Sequence, residues 1–274
     1  MTDHYAVMGN PIAHSKSPQI HAAFAAETGQ DIAYEAMLVP EDGFAAAVKH
    51  FQQSGGKGLN ITVPFKLQAF ELVSERSERA ATAGAVNTIK FNDDGSMFAD
   101  NTDGIGMVRD ITVNHAMSLA DKRVLILGAG GAVQGVLLPV LKECPAALMI
   151  ANRTAAKADA LADTFSQYGS VSGCGFDALA GQQFDVIING TAASLKGEVP
   201  PLPENIFTAD SLAYDMMYKD EPTAFLQWAQ QHGVQQCVDG LGMLVEQAAE
   251  SFYLWRGVRP STSAVIQQIR SGMR

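Results

Sequence analysis

A lysine in the first turn of a helix sits against an end that the aligned peptide dipoles already make positive. Lys66 stands in such a place, two residues after Pro64, in the stretch Asn60-Ile61-Thr62-Val63-Pro64-Phe65-Lys66. Three more stretches put polar side chains where a strand gives way to a turn or helix. They are Ser15-Lys16-Ser17, Ala85-Val86-Asn87-Thr88 and Asp100-Asn101-Thr102-Asp103-Gly104. Hydroxyls and free N–H groups at a helix start suit an anion such as a carboxylate. Ser17 also reads as an ordinary N-cap before Pro18, although that leaves His14 and Ser15 without a role. Lys66 reads equally as a solvated surface cation, and Asp103, next to Gly104, as a cap. On the residues alone both readings of each stand.

These stretches share an edge only if the elements around them form a sheet. Strands are expected at Tyr5–Met8, Tyr34–Val39 and Gly58–Val63, with helices at Pro18–Glu27, Glu41–Gln53 and Phe65–Val73. Phe44, Val48 and Phe51 would lie on one face of the second helix. A hairpin follows, Asn87–Phe91 and Ser96–Asn101, turning through Asn92-Asp93-Asp94-Gly95. Strands separated by helices predict a mainly parallel sheet covered on both faces, with strand carboxyl ends gathered at one edge. Asn60 and Thr62 alternate on one strand and so face one side. The boundary of this domain falls near Asp103-Gly104, with a helix from Ile105.

The centre of the chain repeats the α/β rhythm. Strands are expected at Arg123–Leu127, Leu148–Ala151, Phe184–Asn189, Ser211–Asp215 and Gln235–Val238, and helices at Ala132–Lys142, Ala155–Phe165 and Thr223–His232. Two helices end the chain, Met243–Trp255 and Ser261–Ser271. The apolar strand Val124-Leu125-Ile126-Leu127 runs into Gly128-Ala129-Gly130-Gly131-Ala132-Val133, a dinucleotide fingerprint in its proper context, strand before and helix after. Gly128 permits the tight turn, and Gly130 lets the backbone approach a pyrophosphate at the positive helix end. Val133 departs from the Gly or Ala expected at the third position. An NAD enzyme usually has Asp or Glu about 20 residues on, at the end of the second strand. Here that strand ends in Asn152-Arg153-Thr154, with Lys157 one turn later. Two cations and no carboxylate suit a 2′-phosphate, so the cofactor read from the residues is NADP.

With 47% hydrophobic residues and 274 in all, the chain has material for two cores. A net charge of −10 weighs against nucleic acid or an anionic membrane as partner. The uncharged run Val124 to Leu141 contains four glycines and Pro139, and reads as strand, turn and helix rather than a membrane span. Cys144, Cys174 and Cys237 are dispersed, suggesting neither a disulfide framework nor a metal site. Without a signal-peptide pattern at the start, a cytoplasmic location is expected. No long exposed apolar stripe is evident, and the sequence fits a monomer or a homodimer.

From end to end the chain resembles the shikimate dehydrogenase family. The resemblance rests on G-N-P-I-A-H-S-K-S-P, N-I-T-V-P-F-K, G-A-V-N-T, N-T-D-G, G-A-G-G-A, N-R-T, Y-D-M-M-Y and Gly240-Leu241-Gly242-Met243-Leu244-Val245-Glu246-Gln247. It implies an α/β protein of two domains. A mainly parallel substrate domain would span 1–103 with 242–274, and a Rossmann NADP-binding domain 104–241. The implied reaction is NADPH-dependent reduction of 3-dehydroshikimate to shikimate, in aromatic amino-acid biosynthesis. Lys66 and Asp103 would be the catalytic pair, and Ser15, Ser17 and Tyr218 would hold the substrate carboxylate. Asn60, Thr62, Asn87 and Gln247 would bind ring hydroxyls, while Thr191, Met216 and Gly240 would line the nicotinamide pocket. One stretch departs from the family: Gly190-Thr191-Ala192-Ala193-Ser194-Leu195 stands where Ala-Thr and a polar or glycine-rich turn are usual. Hydride delivery to a ketone leaves an alkoxide that needs a proton donor, which a protonated Lys66 can be. A quinate/shikimate dehydrogenase with relaxed cofactor use would favour an acid after the second strand. A non-catalytic NADP sensor would lack the lysine or the aspartate. A folate-type dehydrogenase has a similar two-domain plan, but the paired serines do not suit it.

Overall fold

The computed structural model describes residues 2–273. The chain divides into two compact units, residues 1–106 with 245–268 and residues 107–244 with 269–274. Residues from Ile269 on thus group with the second unit, and the first division, after Gly106, falls three residues later than the expected end of the domain at Asp103.

In the first unit six strands form one sheet: β1 (Asp3–Gly9), β2 (Ile32–Leu38), β3 (Gly56–Ile61), β4 (Glu75–Arg76), β5 (Thr88–Phe91) and β6 (Met97–Asp100), in the order β2-β1-β3-β5-β6-β4. The β2-β1-β3 part is parallel, and β5 runs antiparallel to both β3 and β6. The sheet turns mixed at β5, which pairs antiparallel with β3, and the short hairpin loop then returns β6 antiparallel to β5. β1 lies inside the sheet, and Tyr5 to Gly9 are all buried. Helices α1 (Ser17–Thr28), α2 (Phe44–Gln53), α3 (Lys66–Leu72) and α4 (Glu78–Ala83) follow the strands. Phe44, Val48 and Phe51 on α2 are buried as the helical period requires. They join Met8, Leu59, Phe65, Ile89 and Ala99 in one core. β4 and α4 are too short to show a period and were not legible beforehand. Ser77 starts α4 by accepting from the Ala80 N–H.

Asp103 to Gly106 of α5 (Asp103–Arg109) belong to the first unit, and from Met107 the second unit runs, through a wider turn at Asp110–Asn114, to six strands. These are β7 (Arg123–Leu127), β8 (Ala147–Ala151), β9 (Val171–Cys174), β10 (Phe184–Asn189), β11 (Phe207–Asp215) and β12 (Gln236–Asp239). Their order is β12-β11-β10-β7-β8-β9 and every pairing is parallel. Read from β7 this is the doubly wound dinucleotide order, and the strand order reverses between β7 and β10. Val124 to Leu127 are wholly buried, as a central strand covered on both faces must be. α6 (Gly131–Lys142), α7 (Ala155–Phe165) and α8 (Ala224–Gln231) cover the sheet. β9 escaped the sequence reading: it is four residues long, contains Gly173 and lies at the sheet edge.

Two helices complete the chain, α9 (Leu241–Arg256) and α10 (Ser263–Ser271). From Val245 on, α9 belongs to the first unit. There Trp255 donates its indole N–H to the Ile89 carbonyl at 3.0 Å and stacks on Tyr5 with centroids 4.7 Å apart. No described helix is long and apolar enough to cross a membrane.

Candidate functional site

The first residue of α3 and the first residue of α5 meet. Lys66 Nζ donates to Asp103 Oδ2 at 2.6 Å, with the two side chains 32% and 21% exposed. The other oxygen, Oδ1, accepts from Asn87 Nδ2 at 2.8 Å. A carboxylate at a helix start is favoured by the dipole and a lysine is not, so the ion pair offsets the misplacement of Lys66. Asn87 is itself fixed, its Oδ1 accepting the Thr102 N–H at 2.9 Å. Its Nδ2 also reaches Thr102 Oγ1 at 2.9 Å and Gln247 Oε1 at 3.4 Å. Gly106 permits the approach of α5 to α9, since a Cβ there would stand 2.6 Å from the Gln247 nitrogen. Lys66, Asn87, Asp103 and Gln247 thus form one hydrogen-bonded array.

Neither alternative capping role is what the structure shows. The Asp103 N–H donates to Asn101 Oδ1 at 3.2 Å, leaving the Asp103 carboxylate to the lysine. At α1 the cap position is Lys16, without a side-chain cap bond, and the Ser17 N–H donates to Ser15 Oγ at 3.3 Å. In both places a residue two positions earlier satisfies the helix end. Ser15 is half-buried, Ser17 is buried, and Ser17 lies beside the Tyr34 hydroxyl. Thr62 falls just past the end of β3, where its N–H donates to the Met8 carbonyl at 3.0 Å, and it is partly exposed. The expected strand through Val63 is therefore two residues too long, and Asn60 and Thr62 do not share it.

Behind Asp103 lies a charged network that the sequence reading missed. Arg79 Nε and Nη2 grip Asp100 at 2.7 and 2.5 Å, and Nη2 also donates to Glu250 Oε1 at 2.8 Å. Arg259 pairs with the other Glu250 oxygen. Burial pushes the Glu250 carboxyl up, but the hydrogen bonds and charges of Arg259 and Arg79 outweigh it and hold it below the usual range. Asp100 Oδ1 accepts the Asn101 N–H at 2.7 Å, so the network anchors the turn that carries Asp103. Thr88 and Thr102 stood in the polar stretches without an assigned role, and Ser251 was missed. Thr88 Oγ1 and Ser251 Oγ lie 2.7 Å apart, and Thr102 Oγ1 is 3.2 Å from Ser251. The signal for Ser251 was its place four residues after Gln247, on the same helical face.

Asn60 is buried beneath this array. Its Oδ1 accepts from the Tyr34 hydroxyl at 2.7 Å and faces His21 Nε2 at 3.2 Å. Its Nδ2 donates to the Asn87 carbonyl at 3.2 Å and to Ser251 Oγ at 3.0 Å. His21 is wholly buried against Tyr34, 4.2 Å between centroids, with Phe24, Phe252 and Trp255 around it. Burial lowers its pKa to about 3, against a smaller upward effect of Asn60. Folded His21 stays neutral where the unfolded residue takes a proton, so stability is lost as pH falls from the ordinary histidine range, about 6.5, towards 3. Urea midpoints at pH 7, 6 and 5 should decline in step with one proton taken up on unfolding. In His21→Gln that part of the decline should vanish; an unchanged slope would refute the assignment.

In the second unit Leu127 and Asn189 are register partners on β7 and β10, so Gly128 and Gly190 follow at the switch point. Gly128 has φ +106°, a turn that L side chains rarely adopt, and its N–H donates to the Ala151 carbonyl at 2.8 Å. Gly130, Gly131 and Ala132 form the start of α6 without a side-chain cap. A Cβ on Gly130 or Gly131 would meet nothing within 4 Å. Gly130, Gly131 and Ala132 are exposed at a helix start, where N–H groups lack intrahelical partners, so the residues present fit the pyrophosphate of a dinucleotide. Val133 is buried in the core with Val136 and Leu137, which accounts for a larger residue there. After β8, Asn152 Nδ2 donates to the Thr154 carbonyl at 3.0 Å, and Arg153, Thr154 and Lys157 are exposed. Among the described residues neither cation has an ion-pair partner.

The departing loop after β10 is built by hydrogen bonds. Asn189 Oδ1 accepts the Thr191 hydroxyl at 2.7 Å, and Ser194 Oγ, wholly buried, donates to Asp215 Oδ2 at 2.5 Å. The side chain of Leu195 lies outside the described residues. Asp215 also accepts the Met217 N–H at 3.1 Å, fixing the turn that holds Met216, and the Gly240 N–H donates to the Met217 carbonyl at 3.0 Å. Thr191, Met216 and Gly240 are thus carried at the carboxyl ends of β10, β11 and β12. Burial, and then the Asp239 charge, raise the Tyr218 pKa above its usual value, so its hydroxyl stays a donor.

Three family models match this chain: a shikimate dehydrogenase substrate binding domain at residues 7–89, shikimate / quinate 5-dehydrogenase at 110–197, and a shikimate 5'-dehydrogenase C-terminal domain at 240–270. The shikimate dehydrogenase (NADP(+)) of Alkalilimnicola ehrlichii is 59% identical over 270 residues, 98% of this chain and 99% of that protein. The crystal structure of an Ael1 enzyme from Pseudomonas putida is similar with a TM-score of 0.92 at 50% identity, covering 97% of this chain and 98% of the other. Shikimate 5-dehydrogenase from Thermus thermophilus, solved with NADP(H) and shikimate, gives 0.86 at 30% identity over 98% and 99%. Matched along nearly its whole length by a relative of such identity, with both units of the fold in place, the chain belongs to the shikimate dehydrogenase family.

Proposed function

We propose that Lys66 and Asp103 are the catalytic pair of this NADP-dependent oxidoreductase, which reduces 3-dehydroshikimate to shikimate in aromatic amino-acid biosynthesis. The observation that carries the assignment is the 2.6 Å ion pair, with Asn87 on the second Asp103 oxygen. Bound NADPH supplies the hydride. Lys66 Nζ holds the proton that the nascent alkoxide oxygen takes, and Asp103 keeps that group aimed. In the reverse direction the same two groups accept the hydroxyl proton. Thr62, Asn87, Gln247 and Asn60 orient the ring hydroxyls. Ser17, freed from capping, together with Ser15 and the Tyr218 hydroxyl, binds the carboxylate.

Residues 1–106 with 245–268 act as the substrate domain in this reading, and 107–244 as the NADP domain. Gly128, Ala129, Gly130, Gly131 and Ala132 cradle the pyrophosphate. Asn152, Arg153, Thr154 and Lys157 take the 2′-phosphate end, and Thr191, Met216 and Gly240 the nicotinamide. The cytoplasm is the proposed location.

Absorbance of the reduced nicotinamide, followed with shikimate and either NADP or NAD, tests the reading. Wild type should turn over with NADP; failure to do so despite NADP binding would sink it. In Arg153→Ala/Lys157→Ala the KM for NADP should rise by about 10- to 100-fold, the scale of one or two lost charged hydrogen bonds. The KM for NAD should hardly change. Equal losses with both cofactors would remove these cations from the 2′-phosphate site.

A further inference from the structure

We propose that His21 is a positioning residue: its Nε2–H holds the Asn60 amide in one of its two orientations, and through that amide and Asn87 it fixes Asp103. The inference rests on the catalytic reading of Asp103 given above. His21 touches none of the array directly and is wholly buried. A merely apolar filler at this place needs no imidazole.

The tautomer follows from the neighbours. Asn60 Nδ2 lies 3.2 Å from the Asn87 carbonyl, which can only accept, so the amide nitrogen must point there. Oδ1 then faces Tyr34 and His21, and His21 must carry its proton on Nε2 to donate across 3.2 Å. Among the described residues Nδ1 has no hydrogen-bond partner. A reversed amide would set its oxygen against the Asn87 carbonyl oxygen and push away the residue that leads into β5. Asn87 is the residue whose Nδ2 holds Asp103 Oδ1 at 2.8 Å. Two amides therefore link a buried imidazole to the carboxylate that pairs with Lys66.

Two substitutions separate this role from packing, because they rank oppositely. The pocket of Tyr34, Phe24, Phe252 and Trp255 is aromatic, so a packing role makes His21→Phe the mild change and His21→Gln the harsh one. A positioning role reverses the order, since Gln keeps an N–H at the place of Nε2 and Phe has none. With shikimate and NADP, kcat of His21→Phe should fall by about 10²-fold, the scale of an ångström of misplacement. The KM for NADP should not move, and His21→Gln should stay close to wild type. Wild-type turnover is measured first and separates failure of the catalytic reading from failure of this one.

Full activity in His21→Phe, or greater loss in His21→Gln, would overturn the proposal. A variant that does not fold leaves a second measurement on the intact wild type. Two-bond ¹H–¹⁵N spectra of its histidines should show His21 neutral with the proton on Nε2 at pH 7. A proton on Nδ1 would reverse the amide and overturn the proposal as well.

Discussion

Lys66→Ala is expected to lower kcat for shikimate oxidation by about 10²- to 10⁴-fold, the range for loss of a positioned proton donor or acceptor. The amine is the group set 2.6 Å from Asp103, and no other cation is paired with that carboxylate among the described residues. Asp103 would keep its bond from Asn87, so the array should survive the substitution. NADP affinity should be preserved, because the fingerprint Gly128 to Ala132 belongs to the other unit. Lys66→Arg should rescue little, as a guanidinium does not release its proton and its planar fork differs in shape. Stopped-flow turnover beside NADP titration checks both halves. A kcat within tenfold of wild type would remove Lys66 from the chemistry.

Arg79→Met should destabilise the protein by about 3–5 kcal/mol, the scale for removing one partner of a buried ion pair. The Asp100 side chain is 3% exposed and would lose both bonds from Arg79, whereas Glu250 would keep Arg259. The pH dependence has a definite sign. Folded Glu250 is held below its ordinary pKa of 4.5, so its contribution is present above that value and lost as pH falls through the folded one. Without Arg79 that contribution shrinks. The gap in urea midpoint between wild type and variant should therefore be widest near pH 7 and narrow below about 4.5. A constant gap across that range would show that Glu250 plays no part. Activity should fall too, because Asp100 anchors the turn ending at Asp103.

Much of this protein is written locally. The apolar run of β7, the glycines after it and the missing acid after β8 announce a dinucleotide domain, since a strand buried on both faces must be apolar throughout. The stripe Phe44, Val48, Phe51 and the hairpin turn at Gly95 are equally local, one set by the 3.6-residue period and the other by a positive φ. Lys66 could be singled out because a cation does not suit the dipole there, and Ser15 because a cap at Ser17 leaves it without a role, whereas Ser17 and Asp103 read equally well as caps.

The choice between roles was made elsewhere. That Ser15 and Asn101 satisfy the two helix starts, releasing Ser17 and Asp103, depends on turn conformations that residue types do not settle. β4, α4 and β9 carry too few residues for any period to show. Asn60 and Ser251 are 191 positions apart, yet they share a hydrogen bond because α9 returns to the first sheet. The sequence by itself determined which elements form and which residues could do chemistry, because periodicity and residue type report the local environment. Only the tertiary structure decided which of those residues meet, because strand order and the return of α9 set contacts between segments whose local patterns are independent.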